Sequence, residues 1–119
     1  MAYTSRVKAV SIAELEWAAD TLKELVMKRR NYYVRVKDVR GGQRARIVFG
    51  RLLAILHRHG LLEAMKTKRP LTYRLKPLVY EAIVKCSLER MECLDGGCEC
   101  RLKNYCPWLL LHEIINPSG

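Results

Sequence analysis

Two amphipathic stretches, each closed by its own stop signal, constrain this chain more than any other feature it carries. Ser11 and Glu14 stand at capping-box spacing, hydroxyl and carboxylate each able to reach an orphan backbone amide. From there Ile12, Leu15, Ala18, Leu22 and Val26 recur near a 3.6-residue period, while Glu14, Asp20, Lys23 and Glu24 fall elsewhere. The pattern predicts a helix of about five turns. It ends in Lys28-Arg29-Arg30, whose charge suits the negative end of a helix dipole, before Asn31. Gln43 to His59 predicts a second helix, with Val48, Leu52, Ile55 and Leu56 on one face and Gly60 where a left-handed stop is usual.

Between and beyond these helices the period shortens. Tyr32 to Val36 is aromatic and β-branched, which predicts a short strand, and Lys37 to Arg40 fits one helical turn before Gly41-Gly42. Leu61 to Met65 and Leu71 to Leu75, joined by the basic turn Lys66-Thr67-Lys68-Arg69-Pro70, predict a β-hairpin. Helix, strand, short helix, long helix and hairpin in that order resemble a winged helix-turn-helix over residues 11–76, most clearly in RLLAILHRHGLLEAMKTKRPLTYRL. The expected fold class is mainly α with a small β-hairpin wing, an α+β arrangement. Lys76-Pro77-Leu78 opens a further helix, with proline in the favourable first turn, expected to run to about Met91. A short apolar helix after Cys106-Pro107 is expected to pack on the preceding part. Residues 1–76 are thus expected to form the winged domain, and 77–119 a C-terminal helix with a compact cysteine-rich tail.

Charge divides the 119 residues in the same way. The net charge is +10, but residues 1–80 hold 18 Lys+Arg against 6 Asp+Glu, and residues 81–119 hold 4 against 6. The first part is therefore +12 and the second −2. A field of that sign favours polyanionic partners, nucleic acid first among them. The longest apolar run, Trp108 to Leu111, is far too short to span a bilayer, and the N-terminus lacks a signal-peptide core, so a cytoplasmic, nucleoid-associated protein is expected. Gln43, Asn31, Asn104 and Asn116 are the only side-chain amides, a scarcity that predicts a thermophilic source.

In helix-turn-helix docking the second helix enters the major groove with its N-terminal turn facing the bases. Here that turn is Gln43-Arg44-Ala45-Arg46, and Arg pairs bidentately with guanine as Gln does with adenine. Arg51 and Arg58 extend the basic face towards phosphates, and Lys66, Lys68 and Arg69 of the turn suit backbone or minor-groove contact. Two glycines before the helix allow close backbone approach. The competing reading is a solvated basic face.

All five cysteines, Cys86, Cys93, Cys98, Cys100 and Cys106, fall in the acidic part with spacing C-x6-C-x4-C-x-C-x5-C. Three readings fit them: an iron–sulfur cluster, a structural zinc site, or disulfides with one thiol left over. Cys93, Cys98, Cys100 and Cys106 are the ligands expected of a metal site, with Cys86 a packing residue or an alternative ligand. Asp95-Gly96-Gly97 supplies a tight turn, and a tail this short needs a metal, disulfides or docking to hold its shape.

A winged helix followed by the cysteine tail CLDGGCECRLKNYCPWLLL resembles the archaeal transcription initiation factor TFE beta subunit and the related winged-helix subunit of eukaryotic RNA polymerase III. The resemblance implies docking at RNA polymerase near duplex promoter DNA, and a [4Fe-4S] cluster whose last ligand, Cys106, precedes Trp108-Leu109. The cysteine spacing lacks the C-x2-C start of that family. Two other readings share the architecture. Cys93, Cys100 and Cys106 come close to the spacing of redox-sensing winged-helix regulators, which act as homodimers on operators. A non-enzymatic interaction module of a replication or repair complex is the third. No phosphate loop, Ser/His/Asp order or paired metal-ligand histidines point to an enzyme.

Overall fold

The computed structural model describes residues 10–65, 72–88 and 103–115. They form a mainly helical α+β protein with one small antiparallel sheet. Its elements are α1 (Ile12–Arg29), β1 (Tyr33–Arg35), a 3-10 turn (Val36–Asp38), α2 (Gln43–Arg58), β2 (Leu62–Met65), β3 (Thr72–Leu75), α3 (Pro77–Lys85), a second 3-10 turn (Lys103–Tyr105) and α4 (Pro107–Ile115).

Three helix ends legible in the sequence are built as their chemistry requires. The Ser11 hydroxyl accepts from the Glu14 amide at 3.1 Å, and the Glu14 carboxylate accepts from the Ser11 amide at 3.0 Å. α1 closes on Arg30, which adopts the left-handed conformation at φ 56° and ψ 38° and donates its N–H to the Val26 carbonyl. α2 closes through Gly60 at φ 79°, with the Gly60 amide bonded to the His57 carbonyl at 3.0 Å and Leu61 to Leu56 at 2.9 Å. Those two bonds are the 5→2 and 6→1 pairs of a Schellman stop, and Leu56 and Leu61 are both buried beside it.

The sheet order is β1-β3-β2, so β3 sits at the centre, antiparallel to both neighbours. Leu62 faces Leu75 across one pair, and Val34 faces Tyr73 across the other. The segment before α2 contracts to a single 3-10 turn because Asp38 ties it down. Its carboxylate accepts the Arg35 amide at 2.9 Å and pairs with Arg29 of α1 at 3.1 Å. Gly41 then turns the chain at φ 130°, where a Cβ would lie 2.9 Å from that of Ala45. The glycine is thus required by the approach of the chain to its own helix, a local reason beside the approach to a ligand expected of it.

α3 is shorter than its expected run to Met91, ending at Lys85 with an extended Cys86 cap. A residue 60 positions earlier finishes it: the Lys23 ammonium donates to the carbonyls of Ile83 at 3.0 Å and Val84 at 3.3 Å, and also to that of Cys86. A cation set against the last carbonyls meets both their hydrogen-bonding need and the helix dipole. α4 lies against α3 and inserts Trp108 and Leu111 fully into the core. One buried cluster therefore runs from Leu22, Phe49 and Leu52 through Leu75 and Ile83 to Trp108, crossing the 76/77 boundary expected between domains.

Candidate nucleic-acid interface

α2 buries Val48, Phe49, Leu52, Leu53 and Leu56 against the core, which turns Gln43, Arg46, Ala54 and Arg58 outward. Gly42, the cap residue just before α2, offers no side chain to accept from it. A helix start whose cap residue carries no acceptor, at the positive end of the helix dipole, is a setting that suits an anion. Gln43 and Arg46 are exposed on the first turn.

Arg44 is placed differently from its neighbours. Its Nε and Nη2 each lie 2.7 Å from a Glu14 carboxylate oxygen, a bidentate pair joining the start of α2 to the start of α1. The guanidinium donates to a carboxylate that also caps α1, and these bonds hold the Glu14 carboxyl down at about 2, well below its ordinary value. The base-reading role expected of Arg44 therefore competes with an internal partner. Arg51 is half-buried along the helix, and Arg58 is exposed at its last turn. Lys66, Lys68 and Arg69 lie outside the described residues.

The aromatics expected near the strand separate. Tyr32 packs edge-on against Tyr80 of α3, with ring centroids 4.9 Å apart, whereas Tyr33 is exposed beside Asn31, Arg35 and Thr72. His57 stacks obliquely on Tyr73 at 5.7 Å, and His59 is the cap residue of α2. Arg40 is also exposed, in the irregular link just before α2.

Of the cysteines expected to hold a metal, Cys93, Cys98 and Cys100 lie outside the described residues. Cys106 is buried at the start of α4, and Cys86 is half-buried at the end of α3. Two residues beyond Cys106, the indole N–H of Trp108 is buried with no acceptor among the described residues. Among those residues no three His, Cys, Asp or Glu side chains converge on one point. No helix of the described residues is long and apolar enough to cross a membrane. Comparison with known proteins finds no matching family model, no matching curated protein and no matching solved structure.

Proposed function

We propose that this chain is a non-enzymatic, duplex-DNA-binding transcription factor of winged helix-turn-helix type that works inside the cell beside RNA polymerase. The observation that carries the reading is the start of α2: a helix end with glycine as its cap residue and with Gln43 and Arg46 exposed, on a helix that packs against β2 of the sheet. Gln43 and Arg46 are the base-facing residues of this proposal. Arg58 and the basic turn Lys66, Lys68 and Arg69 supply phosphate contacts, and Arg44 holds the angle of α2 through Glu14.

Fluorescence anisotropy of a labelled duplex against salt tests this. If six to eight phosphates are neutralised, log affinity falls with log salt at a slope of about −5 to −7. Arg46→Ala weakens binding of preferred sequences, whereas Lys68→Ala lowers affinity for all sequences and reduces the slope by about 1. No affinity for duplex DNA at low salt would end the proposal.

For the tail we propose a thiolate-held centre, an iron–sulfur cluster before zinc. A buried Cys106 next to an apolar core, with an unmet indole donor two residues on, suits ligation by sulfur, which accepts hydrogen bonds when it is a thiolate or sulfide. Such a centre would supply cross-linking of the tail, with Cys93, Cys98, Cys100 and Cys106 as its ligands. Iron, zinc and sulfide measured per chain, together with a free-thiol count, separate the cluster, the zinc site and disulfides.

A further inference from the structure

We propose that the groove between α1 and α4 is a docking site for a basic, partly apolar segment of a partner protein. Trp17 forms its anchoring wall, and Glu16 and Asp20 accept the partner's cations. The proposal goes beyond the DNA reading and does not depend on it.

The argument starts from helical spacing. α1 buries Leu15, Ala18, Ala19, Leu22 and Val26, so Ala13, Glu16, Trp17, Asp20 and Glu24 fall on its opposite side. Trp17 is 39% exposed there, in the middle of a long helix where nothing local requires an aromatic residue. Its ring borders three concavities: one towards α4, one towards the link before α2, and one against the start of α2. The first is a groove of about 520 Å³, with Trp17, Leu88 and Ile115 as its apolar walls and Glu16, Asp20 and His112 as its polar ones. A rigid aromatic standing in a concave, part-apolar surface is the usual form of an interface anchor.

Charge identifies the occupant. Four of the six acidic residues in the first 80 positions, Glu14, Glu16, Asp20 and Glu24, lie on α1. Glu14 is taken by Arg44, but none of the ion pairs among the described residues uses Glu16, Asp20 or Glu24. A chain of net +10 thus keeps a strip of carboxylates with no ion pair among the described residues beside an exposed tryptophan. Phosphates would be repelled from this strip, which excludes nucleic acid and anionic membranes as its occupant. A lysine or arginine is attracted to it, can lie over the indole face, and can set an adjoining aliphatic residue against Leu88 and Ile115.

The test uses the full chain and a labelled amphipathic lysine/leucine peptide as probe, with a glutamate/leucine peptide of equal length as comparison. The lysine/leucine peptide is expected to bind and to weaken as salt rises, while the glutamate/leucine peptide does not bind. Trp17→Ala, at an exposed position, should weaken binding by about tenfold or more. The pair Glu16→Lys and Asp20→Lys should abolish it, with helical circular dichroism unchanged in both variants. The proposal falls if the lysine/leucine peptide fails to bind at low salt, if Trp17→Ala leaves its affinity unchanged, or if both peptides bind alike. It also falls if sedimentation shows self-association that the charge reversal dissolves, since the groove then serves a second copy. Duplex DNA measured on the same samples keeps the two readings apart: loss of DNA binding with peptide binding intact removes only the function proposed above.

Discussion

Replacing Arg30 by glycine is expected to stabilise this protein, and replacing Gly60 by alanine to destabilise it, for the same conformational reason. Arg30 closes α1 at φ 56°, and no other non-glycine residue among those described has a positive φ. A side chain in that conformation costs about 1–2 kcal/mol, because Cβ crowds the following carbonyl oxygen. Glycine removes this strain but loses about 0.5–1 kcal/mol through the greater freedom of the unfolded chain. It also gives up about 0.3 kcal/mol of charge–dipole attraction, a small loss because Lys28 and Arg29 stay in the last turn. The balance is a gain of roughly 0.5 kcal/mol, or about 2 °C in melting temperature. At Gly60, φ is 79° and nothing lies within 4 Å of an added Cβ, so alanine there meets backbone strain and no clash. The expected cost is about 0.5–1 kcal/mol. Urea unfolding followed by helical circular dichroism reads both as shifts of midpoint at constant m. Arg30→Ala keeps the strained backbone and loses the charge, so it should fall below the native protein. Midpoints of Arg30→Gly and Gly60→Ala moving in the same direction would refute the reasoning, as would Arg30→Gly falling below Arg30→Ala.

Three further outcomes follow, two from contacts and one from composition. The Glu14 carboxyl is held at about 2 in the folded protein against 4.5 ordinarily, so its contribution to stability is present above pH 4.5 and lost as pH falls towards 2. Glu14→Gln should therefore be less stable at neutral pH and show a shallower acid dependence across that window, measured by urea midpoints at stepped pH. Lys23→Met should cost about 2 kcal/mol, the scale of hydrogen bonds to a charged group, and should speed amide exchange in the last turn of α3. The scarcity of Asn and Gln is consistent with a melting temperature above the mesophile range of about 45–65 °C, which differential scanning calorimetry would show.

The sequence by itself determined those features that a few neighbouring residues complete. The capping box of Ser11 and Glu14 and the stop at Gly60 close within one turn, so their donors and acceptors are all in view of one another along the chain. The outward turn of Gln43 and Arg46 is legible for a similar reason, since helical period alone separates them from Val48, Leu52 and Leu56. The tertiary structure alone decided what depends on residues distant along the chain. β1 joins the sheet beside β3, with Tyr33 opposite Arg74 and Arg35 opposite Thr72, and no local pattern states that pairing. The end of α3 depends on Lys23, which spacing places only off the apolar face of α1, because its carbonyl partners come from the far end of another helix. Arg44 looks identical to Arg46 in the sequence, yet Glu14, 30 residues earlier, engages Arg44 and not Arg46, though both are exposed. Trp17 has the same origin. Spacing puts it on the outer face of α1, but only the folded chain brings Leu88, His112 and Ile115 opposite, creating a groove with a tryptophan on one wall and carboxylates beside it.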